Sequence, residues 1–501
     1  MTLRNNLNSV RARPVLVYAG VPLLVTAFLW ATSSNQLSLS EVVAALILCW
    51  IPWATYQQWY RGSRQELPLF SLIAAMYCVA YVLPLFWSSH NIGLVTGNHV
   101  LSESAIARAI YLAVIGVVAI WVGMRVVADW RWEPSFLVGI PQNPWRWNYL
   151  RIVLIAAALM RILIPITAWG EGGRQIIVNI ESFVASIAFV VLLRSWLSGV
   201  AMGVDKILVS GYLLVALVVG LSSGWLGTFV GLGIICVASY VYARNKFPVV
   251  ALLVVLPVVM FLQPGKARFR EVYWKGGPSE SYASSYSERI GLWMEASSRA
   301  WGRALTDSSG AGFRELGGAT LSRLSLLEQT ANVIEMTPAQ VPYQYGRLYS
   351  YLPITFVPRF LWPEKPSVTD ANKWYQVSYL LTAAANIESV GISVGTLTES
   401  YMNFGWVGPI FVMFGLGIFL GILQKLFMRK ASGLLLSSIG VALLPGLLVV
   451  ESQMAVYVSG LVQEVLFALL ALAPVMIVVR PERVVSGTPV SRVGVMSRLR
   501  P

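Results

Sequence analysis

The stretch WVGPIFVMFGLGIFLGILQKLFMRK, Trp406 to Lys430, carries no charged residue over its first nineteen positions and then closes on Lys425, Arg429 and Lys430. At about 1.5 Å per residue, an apolar helix of this length crosses the roughly 30 Å hydrocarbon core of a bilayer. A cationic end marks the cytoplasmic side of such a span. Gly417 and Gly421 stand four apart, on one helical face, and read as a helix-packing pair rather than a nucleotide loop.

Working outward, similar runs recur near 15–32, 40–60, 68–87, 104–127, 148–169, 177–198, 206–222, 224–243 and 247–263, then 433–450 and 453–479. With 406–428 they make about twelve spans. The chain has 501 residues, 56% hydrophobic and 12% charged, about half the charge of an ordinary soluble domain. The reading is an all-α polytopic membrane protein. Residues 1–263 form a first membrane domain of about nine spans. Residues 264–405 form one large loop domain between the ninth and tenth spans. Residues 406–479 form a second membrane domain of about three spans, and 480–501 a basic tail.

Charge sets the orientation. Arg4, Arg11 and Arg13 precede the first run, which has no small-residue cleavage site and reads as a retained anchor. Alternate connections then carry Arg61 and Arg64; Arg125, Arg131 and Arg146; Arg194 and Lys206; Arg244 and Lys246; and Lys425, Arg429 and Lys430. Arg480, Arg483, Arg492, Arg498 and Arg500 follow the last span. The intervening short loops are poor in Lys and Arg, with Arg174 as the one exception. Both termini are therefore expected in the cytoplasm and 264–405 on the outer face. The tail is expected to be disordered and to meet anionic headgroups.

The net charge of +14 does not imply nucleic acid. Residues 264–405 hold 13 Lys/Arg against 12 Asp/Glu, and the excess sits in short loops and tails. Cys49, Cys78 and Cys236 lie in apolar runs without disulfide or metal spacing and read as small buried hydrophobes. His90 and His99 share one loop and read as solvated.

The outer segment is too long for a connector. Residues 285–305 read as an amphipathic helix, with Ile290, Trp293 and Met294 apolar and Arg289, Arg299 and Arg303 on other faces. A second helix is expected over 320–336, and an irregular chain after Pro338. Gly391 to Trp406, polar and Gly-rich at a membrane face, must line a cavity or pack in protein. No phosphate loop or Ser/His/Asp arrangement is present, and no metal motif. Arginines, aromatics and a few carboxylates remain. Guanidinium groups pair bidentately with phosphate, and a carboxylate can serve as base toward a hydroxyl.

Each such residue has a plainer role beside the chemical one. Arg359, between Pro358 and Phe360, binds a diphosphate or anchors at headgroups. Arg323 and Arg347 are candidates of the same kind. Arg268 and Arg270 lie where lipid headgroups compete. Lys365 binds substrate or snorkels. Glu399 is a base or a helix-terminal acid. Tyr401 and Asn403 position rather than react. Arg161, inside the fifth span, walls a donor cavity or pairs with Glu181 or Glu464.

Pro358-Arg359, Trp362-Pro363, Lys365-Pro366, Glu399, Tyr401 and Asn403-Phe404-Gly405 resemble the corresponding stretches of Wzy-type O-antigen and exopolysaccharide repeat-unit polymerases, in detail over roughly 320–425. The resemblance implies a GT-C-like membrane fold in the bacterial inner membrane. It implies polymerisation of undecaprenyl-diphosphate-linked oligosaccharide repeat units at the periplasmic face, with lipid diphosphate leaving and neither metal nor other cofactor. In that frame Glu399 and Arg359 are catalytic. Arg323, Arg347, Lys365, Arg268, Arg270, Arg161, Tyr401 and Asn403 bind substrate. A chain-length regulator and a flippase of the same pathway are the implied partners, besides membrane lipids. The alternatives are a lipid-linked oligosaccharide flippase, which usually shows two similar halves and no large outer domain, and an O-antigen ligase.

Overall fold

The computed structural model describes residues 20–62, 64, 66–130, 137–139, 144–163, 180–224, 226–273, 285–307, 311–357, 362, 364–387, 391–392 and 394–479. Arg359, Arg174 and the basic tail 480–501 lie outside the described residues, as do Arg4, Arg11 and Arg13.

Helices dominate. Nine overlap the first nine apolar runs: α1 (Gly20–Ala31), α2 (Leu39–Arg61), α3 (Leu69–Trp87), α4 (Glu103–Ala128), α5 (Pro144–Leu163), α6 (Ala185–Leu197), α7 (Gly203–Ser222), α8 (Leu226–Arg244) and α9 (Val249–Leu262). The outer segment contributes α10 (Lys266–Tyr273), α11 (Tyr286–Thr306), α12 (Ala311–Leu324), α13 (Leu327–Met336), α14 (Tyr351–Thr355), α15 (Asp370–Ser378) and α16 (Thr396–Phe404). Then come α17 (Val407–Phe427), α18 (Gly433–Leu447) and α19 (Met454–Leu472). Seven of the described helices are long and apolar enough to cross a membrane: α2, α3, α4, α7, α8, α17 and α19. The chain is a mostly helical membrane protein.

Two short strand pairs depart from a purely helical reading. Strands β1 (Asn91–Leu94) and β2 (Gly97–Val100) form an antiparallel hairpin. Strand β3 (Leu137–Gly139) pairs antiparallel with β4 (Ile477–Val479).

The connections fall into two sets, each with contacts within itself. Those expected on the inner side touch one another: Arg64 Nη1 donates to the Asn245 carbonyl at 3.2 Å, and Lys430 Nζ bonds Asn245 Oδ1. Glu66 and Arg429 pair through an isolated antiparallel backbone bridge, and the Tyr242 hydroxyl donates to the Met428 carbonyl. The opposite set also makes its own contacts. Asn35 Nδ2 donates to the Leu85 and Ser88 carbonyls at 3.0 and 2.9 Å, and Val95 N–H to the Leu380 carbonyl at 2.7 Å. Ser38 and Ser285, each with a glutamate three residues on, cap α2 and α11 in reciprocal boxes.

Helices α4 and α17 cross in close contact because glycines remove the side chains between them. A methyl group at Gly123 would collide with the Phe414 carbonyl oxygen, and one at Gly417 with that of Ile120. At Gly421 it would lie 2.9 Å from Val127 Cβ. The Gly417–Gly421 pair is thus a packing device, met by Gly123 from the facing helix.

The outer segment is threaded into the bundle rather than set apart from it. Leu327, Ala331, Tyr375 and Leu397 share one apolar core with Tyr81 and Ile106. The helix expected over 320–336 breaks between α12 and α13, and the break has a cause in α3. Pro84 has no N–H to give the Ala80 carbonyl one turn earlier. Leu326 N–H bonds that carbonyl instead, at 3.0 Å. Ser325 Oγ accepts from Leu327 N at 3.2 Å at the junction. The amphipathic reading of 285–305 also needs correction at two residues. Arg289 is buried, its guanidinium 5.6 Å from the Tyr273 ring centroid, while Met294 is exposed.

Candidate functional site

The Gly-rich stretch before the tenth span is helical where it was expected to be irregular. Gly395 at φ +76° and Gly405 at φ +60° bracket α16. Every residue from Thr396 to Asn403 is buried, so the segment's polar groups face protein, as a membrane-face backbone requires. Glu399 is 1% exposed. Its Oε2 accepts the Met454 N–H at 2.6 Å, the first free donor of α19. Burial pushes its carboxyl up to about 8, partly offset by that bond. Its other oxygen has no hydrogen-bond partner among the described residues. Glu399 therefore caps a second helix; it does not face an open space where an acceptor hydroxyl could reach it.

Asn403 and Tyr401, expected to bind substrate, are also enclosed. Asn403 Oδ1 accepts from Gly346 N at 3.0 Å and its Nδ2 donates to the Glu399 carbonyl at 2.9 Å. Gln344 and Tyr345 N–H groups bond the carbonyls of Met402 and Asn403, both at 3.0 Å. Asn403 thus clamps the turn carrying exposed Arg347, which Gly346 opens at φ +88°. Tyr401 is 3% exposed and stands edge-on to Tyr343 and Trp406. Both residues position the surface that others present.

Beside the start of α19 lies a cationic cluster. Arg323, at the end of α12, grips Glu451 through both terminal nitrogens, at 2.9 and 3.3 Å. Glu451 is fixed in turn, its carbonyl accepting Gly395 N–H at 2.9 Å. Lys266 and Arg270 of α10 stand near this pair. Burial first, then Arg270 and Arg323, pushes the Lys266 ammonium down to about 8 against the pull of Glu451. Burial and Arg323 lower Arg270 as well. Arg323 on Glu451, Lys266 near both and Arg270 near Arg323 leave a net positive locus suited to an anion. Lys266 was missed by sequence reasoning, although the signal was present: in Lys-Ala-Arg-Phe-Arg, positions 266 and 270 share a helix face and 268 does not. Arg268 points elsewhere and pairs with Glu271 at 2.7 Å on the exposed surface.

On another face of α19 is a cavity of about 390 Å³. Lys365 and Glu464 both line it, with Thr355, Ser459, Gly460 and Gln463. Lys365 Nζ donates to the carbonyls of Thr355 and Val357 at 3.3 and 2.8 Å, so it is held at the cavity wall rather than extended to headgroups. Arg161 is not among the lining residues. Its guanidinium lies 5.1 Å from the Tyr212 ring centroid of α7. The histidines are in the β1–β2 hairpin region. His90 Nε2 lies 3.2 Å from Asn35 Nδ2 and His99 Nε2 lies 3.6 Å from Glu335 Oε1, so neither is merely solvated.

The family model described as Domain of unknown function (DUF8712) matches residues 83–438, more than half of the chain. That match takes in α4, Lys266, Arg270, Arg323, Glu399 and α17, and stops before Glu451 and α19. No curated protein and no solved structure matches the chain.

Proposed function

We propose that this chain, which belongs to the DUF8712 family, is a membrane glycosyltransferase that polymerises undecaprenyl-diphosphate-linked oligosaccharide repeat units into O-antigen or exopolysaccharide. It acts at the outer face of a bacterial inner membrane, through about twelve spans in a GT-C-like arrangement with both termini in the cytoplasm. The observation that carries the proposal is the gathering of Lys266, Arg270 and Arg323 into one cationic cluster, with Glu451 held by Arg323 and felt by Lys266, at the end of the bundle where the large segment sits. A departing diphosphate needs positive charge that is fixed before the bond breaks. The Glu451 grip provides that fixing for Arg323. Arg347, held on its turn by Asn403, supplies a further exposed cation. Arg359 retains its proposed role beside them.

The test is polymer length by gel in a strain lacking the chromosomal copy and carrying variants of the cluster, with membrane abundance measured in parallel. Lys266→Ala/Arg270→Ala/Arg323→Ala should collapse the ladder to single repeat units at normal abundance. A normal ladder would refute the assignment. Loss of single units from the outer face would favour transport instead.

A further inference from the structure

Glu464 sits near the middle of the last span, where an ionisable group is costly unless it faces a cavity or a partner. It faces the 390 Å³ cavity, a volume within the usual range for small-molecule sites. The cavity is built on one helical stripe. Val456, Ser459, Gly460, Gln463, Glu464 and Phe467 recur at three- and four-residue intervals on α19. Gln463 Nε2 donates to the Thr355 carbonyl at 3.3 Å, the same carbonyl that Lys365 bonds, so the outer segment closes over the stripe. Among the described residues no hydrogen bond or ion pair holds the Glu464 carboxylate. Glu399 offers the contrast, being enclosed and bonded to Met454.

We propose that this cavity receives the acceptor saccharide and that Glu464 is the general base of the transfer, with Lys365 orienting the incoming unit. This rests on the polymerase reading above. In the step, the acceptor hydroxyl oxygen forms a bond to the anomeric carbon of the donor. The bond from that carbon to the diphosphate oxygen breaks, and its electron pair leaves with the diphosphate. The hydroxyl proton passes to Glu464 and then to solvent. No oxidant or further reactant enters.

The stripe also supplies a second, independent variant. A side chain built at Gly460 meets nothing within 4 Å, so Gly460→Met should fill cavity space without a clash. The experiment uses full-length protein in proteoliposomes, supplied with lipid-diphosphate-linked units from a strain lacking the chain. Glu464→Gln should lower kcat by at least about a hundredfold, the usual contribution of a general base, with KM and melting temperature nearly unchanged. Gly460→Met should raise KM with the melting temperature unchanged. Wild-type turnover in Glu464→Gln overturns the inference while leaving the polymerase reading intact. If that variant fails to fold, Gly460→Met decides, and an unchanged KM there overturns the inference. If wild-type protein consumes no donor, the polymerase reading falls and takes the inference with it.

Discussion

Removing Arg323 separates two roles that the structure superimposes. Its guanidinium makes two bonds to Glu451, with side-chain exposures of 52% and 34%. A pair this exposed stabilises by about 0.2–1 kcal/mol, under roughly sixfold at 1.4 kcal/mol per decade. A charge-assisted bond to a phosphate oxygen contributes about 1.5–3 kcal/mol, or roughly 10- to 100-fold. Arg323→Ala deletes both and leaves Glu451, with Lys266 as its remaining cationic neighbour, less compensated beside the proposed diphosphate. Its loss of activity should therefore exceed the phosphate contact alone. Arg323→Ala/Glu451→Ala removes the repulsion as well. Donor consumption by membranes, corrected for protein abundance, should recover only partly in the double variant, remaining at least roughly tenfold below wild type. Recovery to within about fivefold would mean that Arg323 serves only to neutralise Glu451, and the diphosphate site would have to be sought elsewhere.

Other outcomes follow from single features. Glu399→Ala strands the Met454 N–H and should cost about 1–3 kcal/mol, read as a lower melting temperature in detergent, whereas Glu399→Gln keeps the acceptor. Because the Glu399 carboxyl is raised to about 8 from an ordinary 4.5, its protonated form stabilises the fold fully below the lower value, and this is lost as pH rises through the upper one. Glu399→Gln should flatten that slope in a pH series of melts, and an unchanged slope would contradict it. Lys266 loses its charge as pH passes about 8. Binding of inorganic sulfate, whose charge is constant in this range, should weaken between pH 7 and 9 and should do so less in Lys266→Arg. Gly417→Val forces a side chain into the Ile120 backbone and should destabilise by at least about 1–3 kcal/mol. Gly415→Val, where nothing lies within 4 Å, is the matched control for the melting measurement.

The apolar helices were legible because they depend on local periodicity and follow from what the bilayer excludes. Lys266 and Glu464 were within reach of the same helical spacing. The burial of Glu399 was not legible, because its partner Met454 lies 55 residues downstream and no local pattern announces a cap donated across the fold. The helix of Thr396–Phe404 was hidden for a related reason. Its Thr, Ser and Gly content argues for loop until tertiary packing absorbs the hydroxyls, as when Thr398 bonds Thr330 at 2.7 Å.

The proline of α3 has a consequence for how the molecule tolerates change. Pro84 exposes the Ala80 carbonyl, and Leu326 occupies it, just past the helix whose last turn carries Arg323. A proline in a span normally counts as a defect that substitution should repair. Here the defect works as a socket. Pro84→Ala would give α3 its own N–H and set it competing with Leu326 for one acceptor. The repair that strengthens the span would unseat the junction behind Arg323, so robustness of the bundle and alignment of its outer charges pull in opposite directions at this one residue.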